Sequence, residues 1–397
     1  MSIETIVTRA WQRQAAWLWL LLPISWLYGL ITMLRHQAYK LGLLSSYRAP
    51  VPVMVIGNIS VGGSGKTPLI IALVDYLQAQ GIKVGVISRG YGGDSSQMPA
   101  LVDAASLPSI VGDEPCLIVN MTGVPMAVCP NRKQAITTLL AAHPDLQLII
   151  ADDGLQHYAL QRDIEWIVVD AARGFGNEQL LPTGFLREPM SRLEGATVIY
   201  HEGPNNSAAP HSKNTEQQSQ AEHLSMHLQA DDMQLLWQPV LADAKMTSLQ
   251  ITDSQPSDSQ VGDFQLTGFE VNNKAPEKGS KVHAVSGIGY PQRFFDTLHA
   301  LGFEVIGHPY PDHYEFSMAE LLQYRQYPIV VTTKDAVKLR ALLLQLTAEQ
   351  PLSAEYKALI SRLWVLPVTA VLSGSCYDNL QQQLTVLNID ICNSEKP

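Results

Sequence analysis

Gly62, Gly63 and Gly65 stand directly before Lys66 and Thr67 in the run GNISVGGSGKTP. Glycines at that density let successive backbone N–H groups turn toward one centre, where they can surround the oxygens of a phosphate chain. A lysine placed after them adds a point charge for the outer phosphates, and a threonine hydroxyl there can enter the coordination of Mg²⁺. Ser60, Val61, Gly62, Gly63, Ser64, Gly65, Lys66 and Thr67 are therefore the candidate phosphate cradle. The common spacing has a further glycine where this chain has Ser60. A glycine-rich turn without a ligand would also produce such a run, so the neighbouring elements have to decide.

They favour the cradle. Val53 to Ile56 is a short apolar, β-branched run that suits a buried strand. Leu69, Ile70, Leu73 and Leu77 recur at helical spacing, and Gly81 is placed to stop that helix. Strand, glycine loop and helix is the context a P-loop requires, with the helix N-terminus adding its dipole. A dinucleotide-binding fold fits less well. There is no G-x-G-x-x-G, and the strand expected at Val84 to Ile87 runs into Ser88 and Arg89 rather than an acid for a ribose hydroxyl.

Acidic groups supply the remaining chemistry. LQLIIADDGLQH reads as a strand ending in Asp152 and Asp153, with Gln156 and His157 close behind. Aspartates at a strand end facing a P-loop can hold Mg²⁺; a polar turn closing a strand is the alternative. VGDEP is expected to be a loop, in which Asp113 and Glu114 could supply a base for a substrate hydroxyl or simply be solvated. HPYPDHY brings His308, Asp312 and His313 together, an arrangement that can tune a proton acceptor, although single histidines are commonly structural. Arg89 in SRGYGG and Arg187 in LREP suit a bidentate grip on an anionic substrate, as ordinary surface arginines also would.

The rest of the chain sets bounds on where this chemistry sits. At 397 residues two domains are expected, and a net charge of −10 argues against nucleic acid as a partner. Cys116, Cys129, Cys376 and Cys392 are scattered without a C-x-x-C, which fits a reducing compartment and gives no zinc site. From Ala15 to Leu34 no side chain is charged, and Trp17, Trp19, Trp26 and Tyr28 sit among the leucines. About 20 apolar residues suffice to cross a bilayer. Arg9 and Arg13 precede the run; Arg35, Lys40 and Arg48 follow it. A membrane anchor, spanning or lying in the interface, competes with a buried helix; a cleaved signal is disfavoured for want of a small-residue cleavage site. The P-loop places the body of the protein in the cytoplasm, with ATP. Gly203 to Glu222 and Asp253 to Asp263 are polar and low in complexity, and read as linkers.

Alternating strand and helix signals give an α/β fold: a P-loop NTPase-like parallel sheet flanked by helices, with a second smaller α/β domain and an N-terminal membrane helix. The expected division is an anchor helix at 1–40, a P-loop core at 41–200, a polar insertion or linker with the start of the second domain at 201–280, and a C-terminal α/β domain at 281–397.

Taken together the motifs resemble one family, the tetraacyldisaccharide 4′-kinases of lipid A biosynthesis. GNISVGGSGKTP, SRGYGG, VGDEP, DDGLQH, LPTGFLREP, GIGYPQRFF, PDHY and TTKDAVKL stand in that family's order behind an apolar N-terminal segment. Phe185 stands where proline is expected, and Tyr290 where a small polar residue is expected. The resemblance implies transfer of the γ-phosphate of ATP, with Mg²⁺, to the 4′-hydroxyl of an acylated glucosamine disaccharide 1-phosphate at the inner membrane. It implies Asp113 as base, with His313 as its partner and Glu114 in support. Asp152 and Asp153 would organise the metal with Thr67, beside Gln156 and His157. Arg89, Arg132 and Arg187 would meet the acceptor's phosphate or sugar, and Glu188 a sugar hydroxyl. The rival reading is a regulatory P-loop GTPase or ATPase at the membrane. Its markers are weak: TTKD lacks the spacer of N-K-x-D, and DDGLQ does not fit D-x-x-G-Q.

Overall fold

The computed structural model describes residues 7–8, 10–11, 13–203, 224–237, 274–349 and 351–389. The two expected linkers, 203–222 apart from Gly203 and 253–263, lie outside these residues.

A nine-stranded sheet forms the larger layer, in the order Val368–Leu372, Ser225–Ala230, Thr197–Glu202, Ile164–Asp170, Val53–Gly57, Leu148–Asp152, Val84–Ser88, Met126–Val128 and Ala100–Val102. Ala100–Val102 and Val368–Leu372, at the two edges, pair antiparallel; the other pairings are parallel. The Val53–Gly57 and Leu148–Asp152 strands are neighbours and every residue in both is buried, as a sheet covered on two faces requires. Adjacency also sets the site, because the strand leading into the P-loop and the strand ending in Asp152 deliver their loops side by side.

A second, five-stranded sheet runs Glu304–Pro309, Lys281–Ser286, Ile329–Thr332, Leu363–Leu366 and Gln234–Leu235. Residues 281–397 do not all belong to the second sheet. The Val368–Leu372 strand and the Gly374–Val386 helix return to the large sheet, where Trp166 Nε1 donates to Gln383 Oε1 at 2.9 Å. Gln234–Leu235 crosses the other way. The two sheets are thus laced by two chain crossings that no local pattern announces.

Helix Leu22–Lys40 continues a short 3₁₀ turn, Ala16–Leu21. It is built inside out. Its one buried residue among the described ones is Ser25, whereas Trp26, Leu27, Leu30, Ile31, Met33 and Leu34 are exposed. Contacts with the body occur along its whole length. Trp11, ahead of the turn, donates to Pro182 O, Ser25 Oγ to Thr183 Oγ1 at 2.8 Å, Tyr28 to Arg187 O at 3.0 Å, and the His36 ring stacks on Tyr158. The helix therefore lies along the body rather than projecting from it.

Candidate active site

The cradle is built as its residue types dictate. Gly65 has φ +93°, a left-handed conformation open to glycine, and from it helix Lys66–Ala79 begins. Side chains hold the loop's carbonyls from outside: Arg173 donates to Val61 O, Asn58 to Gly62 O at 3.2 Å, and His201 Nδ1 lies 3.0 Å from Ser64 O. Lys66 Nζ reaches Asp153 Oδ1 at 3.4 Å. Gly289, in a glycine turn of the second sheet, sits so close that a Cβ there would come within 3.1 Å of Gly63 N.

The two aspartates are pushed in opposite directions. Asp153 is only half-buried; desolvation raises its pKa, yet Lys66 and Arg187 outweigh that and hold it well below the usual range. Arg187 grips it with two hydrogen bonds, at 3.0 and 3.1 Å. Asp152 is pushed up, first by burial and then by the Glu114 and Asp153 carboxylates. Its Oδ2 accepts from Ser88 at 3.0 Å, while Oδ1 is buried without a hydrogen-bond partner. A bare buried carboxylate oxygen beside a phosphate cradle fits a cation. Among the described residues, however, no three His, Cys, Asp or Glu side chains gather at metal distance.

Asp113 and Glu114 do not lie in a loop, as the sequence suggests. They open helix Asp113–Thr122, with Gly112 at φ +97° making the turn and Pro115 in the first turn, where its missing N–H costs nothing. His313, 200 residues on, reaches Asp113 from the second sheet with Nδ1 at 3.0 Å from Oδ1 and 3.1 Å from Oδ2. Burial raises the Asp113 pKa, but the bond to His313 and the Lys334 and Lys338 ammoniums bring it below the ordinary value. Burial lowers that of His313, but Asp113 takes it above. Lys334 Nζ ties the corner together: 3.0 Å from Glu114 Oε1, 3.1 Å from Asp312 Oδ1 and 3.4 Å from His313 Nε2.

A phosphate cradle facing a carboxylate–histidine pair across two sheets is the layout of a phosphotransferase, and the comparisons say which kind. The family described as tetraacyldisaccharide-1-P 4′-kinase matches residues 17–385. The tetraacyldisaccharide 4′-kinase of Psychrobacter cryohalolentis is 69% identical, over 98% of this chain and 99% of its own. That of Ectopseudomonas mendocina is 40% identical, over 86% and 90%. This chain belongs to the tetraacyldisaccharide 4′-kinase family. Its fold is also that of a solved LpxK from Aquifex aeolicus, described as an "apo" form in complex with ATP, with a TM-score of 0.62, 24% identity, and coverage of 92% of this chain and 98% of that one.

Within this kinase fold the remaining expected residues fall into two groups. Gln156, Glu188 and Arg187 form a connected set behind the cradle. Gln156 Nε2 donates to Asn58 O at 3.0 Å and to Glu188 at 2.8 Å, and buried Glu188 also pairs with Arg192. Arg132, His157 and Arg89 form a second set, two cations beside an imidazole. Arg132 is buried, its Nη2 donating to Asp152 O at 2.7 Å and its Nη1 without a partner. His157 is pushed down to about 4, first by burial and then by Arg132, Arg162, Arg35 and Arg89, so it is neutral near pH 7. Arg89 is exposed. His308 lies apart, its Nε2 3.0 Å from His283 Nδ1. Sequence reasoning missed Lys334, Lys338, Asn58, Arg173 and His201. TTKDAVKL marks the two lysines as part of a motif, but nothing in its spacing says that they face Asp113.

Proposed function

We infer that this chain transfers the γ-phosphate of ATP to the 4′-hydroxyl of an acylated glucosamine disaccharide 1-phosphate, on the cytoplasmic face of the inner membrane. The observation that carries the reading is the Asp113–His313 pair, brought from two sheets to one corner opposite the P-loop. An acceptor hydroxyl is a weak nucleophile and must lose its proton as the new bond forms. The pair accepts that proton, with Asp113 as the base and His313 Nδ1 sharing the charge. Glu114, through Lys334, keeps the corner closed.

The Gly62–Gly65 backbone and Lys66 hold the phosphates. Thr67, Asp152 and Asp153 are the residues that would hold Mg²⁺, with Gln156 and His157 beside them; the ion supplies charge neutralisation to the phosphate oxygens. Arg132 Nη1, buried and unsatisfied, points to an anionic oxygen as its missing partner. The lipid's phosphate is drawn to the set of Arg89, Arg132 and neutral His157. Arg187 lies against Asp153 and Asn58, so it serves the acceptor from there, with Glu188 held by Gln156 nearby.

The exposed tryptophans and leucines of residues 17–34 lie in the bilayer surface, and the helix runs in the interface rather than across it. Their exposure supports this, as does the row of contacts from Trp11 to His36. Incubation with labelled ATP and the detergent-dispersed disaccharide phosphate tests the reading. Label on the lipid is expected; label released only as free phosphate would favour a regulatory ATPase instead.

A further inference from the structure

PDHY and TTKDAVKL meet at Lys338. The Tyr314 N–H donates to Pro311 O at 3.2 Å, so Pro311 to Tyr314 close a turn with Asp312 and His313 at its centre. His313 has φ +58°, the left-handed region that such a turn reserves for glycine or asparagine. A histidine there is strained, and strain at a working residue persists only where the surroundings enforce it.

Helix Thr333–Glu349 enforces it from both sides. Lys338 Nζ donates to Tyr314 O at 2.7 Å, which fixes the exit of the turn. On the entry side, the His313 N–H donates to Gly287 O at 3.2 Å, and the Gly287 N–H donates to Asp335 Oδ2 at 3.1 Å. Asp335 is fully buried, and its Oδ1 pairs with Lys338 Nζ at 3.2 Å, three residues along the same helix. The Lys338 side chain is 12% exposed, so it is no ordinary surface lysine.

We propose that Lys338 is a positioning residue for the Asp113–His313 pair, clamping Tyr314 O so that His313 keeps the left-handed turn that sets its ring against Asp113. The proposal rests on the reading of that pair as the proton acceptor.

The turn decides where the ring goes. Relaxing His313 to the right-handed region rotates Cβ by roughly 120° about the N–Cα bond, the gap between the two regions. The imidazole then swings away from Asp113, which it now meets at 3.0 Å. The competing role for Lys338 is charge, since Nζ also lies 3.9 Å from Asp113 Oδ2. Lys334 stands 4.0 Å from the same oxygen, so a cation beside Asp113 does not require Lys338. The grip on Tyr314 O does.

NMR spectra of the full chain in detergent, with isotope-labelled histidine, test this without turnover. The ring N–H signal that His313→Ala deletes and Asp113→Asn shifts reports the contact. Lys338→Met should shift or lose that signal, while calorimetric ATP binding stays within about twofold, as expected of a site removed from the cradle. Because Lys338→Met strands the Asp335 charge, the same change is also made together with Asp335→Asn, whose amide oxygen still accepts from Gly287. That pair should keep the melting temperature near the parent's and show the same spectral change. In kinetics, Lys338→Met should lower kcat roughly tenfold to a hundredfold, the scale of a misplaced catalytic group. In a His313→Ala background it should cost less than about twofold, because there is no ring left to place. A His313 signal unmoved in both Lys338 variants would overturn the proposal. So would a full kcat loss that persists in His313→Ala, which would make Lys338 a charge on Asp113. Undiminished kcat in His313→Ala would instead overturn the reading of the pair, and the spectra would still decide what holds His313.

Discussion

The cradle and the Asp113–His313 corner face each other across the site and are held by opposite means. The cradle is local: Gly57 to Thr67 is one stretch of chain, its shape set by backbone conformation and by side chains that grip its carbonyls. The corner is assembled from residues 200 positions apart, and charged side chains span the gap. Backbone geometry survives most single substitutions. A charge cluster does not, because each member sets the ionisation of the others. Damage at the corner should therefore appear in the chemical step and its pH dependence, and damage at the cradle in nucleotide binding.

The largest effect tests that division directly. Asp113→Asn keeps the shape of the side chain and removes its basicity. The expected kcat is lower by roughly two to four orders of magnitude, with ATP affinity nearly unchanged. Weakened ATP binding with an intact kcat would make Asp113 a nucleotide or metal ligand and erase the contrast.

Lys66→Ala breaks the other side. If Lys66 neutralises charge that grows on the transferring phosphoryl group, as proposed, kcat should fall by about two to three orders of magnitude. Unlike Asp113→Asn, it should also weaken ATP binding measured without acceptor. The change frees Asp153 from one of its two cations, leaving Arg187 to hold it, so the fold should persist. A chain that keeps most of its kcat would remove the P-loop from the mechanism.

The same contrast explains what the sequence disclosed. The Val53–Gly57 strand, the glycine loop and the helix ended by Gly81, at φ +77°, were legible because each depends on residues within a few positions. The strand before Asp152 and Asp153 was legible for the same reason. The start of helix Asp113–Thr122 was not. Gly-Asp-Glu-Pro is turn chemistry by composition, and the packing of this helix on Thr333–Glu349 decides otherwise. Lys334 and Arg293 could not be placed at all. Their partners are Glu114 and Asp170, and only the arrangement of two sheets brings them together. Likewise the return of Val368–Leu372 to the first sheet has no local signature.

A third substitution sharpens the electrostatic side. Burial lowers the Lys334 pKa, but Glu114, Asp312 and Asp113 raise it well above the ordinary lysine value, so it stays charged throughout the working range. Its charge opposes protonation of His313, although Asp113 keeps that histidine above its usual value near 6.5. The kcat of the parent should rise with pH through an apparent pKa above 6.5, as the pair loses its proton and becomes competent to accept one. Removing Lys334 relieves the repulsion, so in Lys334→Met this limb should move to higher pH. At neutral pH kcat should fall, because less of the pair is deprotonated there. The stability sign is the opposite. A histidine raised on folding contributes most below its unfolded pKa, and the contribution is lost as pH rises through the folded one. The bridge between the sheets from His313 thus weakens where the chemistry starts, and Lys334 is the tie that remains. A limb that stays in place, or moves to lower pH, would show that Lys334 does not act on the pair.

The smallest effect on chemistry belongs to a surface outside both regions. Trp26 and Leu30 are 69% and 47% exposed on helix Leu22–Lys40, so Trp26→Glu and Leu30→Glu disturb no packing inside the body. Neither touches the polar contacts of Ser25 and Tyr28 that bind the helix to residues 180–187. Activity on detergent-dispersed acceptor should stay within about twofold, as for surface substitutions generally. Partition onto vesicles should fall by at least tenfold, because burying one large apolar side chain is worth about 1.5–3 kcal/mol and the added carboxylates oppose it. Activity on acceptor in those vesicles should fall with it. Ser25→Leu supplies the control in the other direction. It adds an apolar side chain but puts it where Thr183 and Leu180 O need a polar partner, so it should leave vesicle binding intact and lower activity in detergent. If both Glu variants bind vesicles as the parent does, the exposed face of this helix is not what meets the lipid.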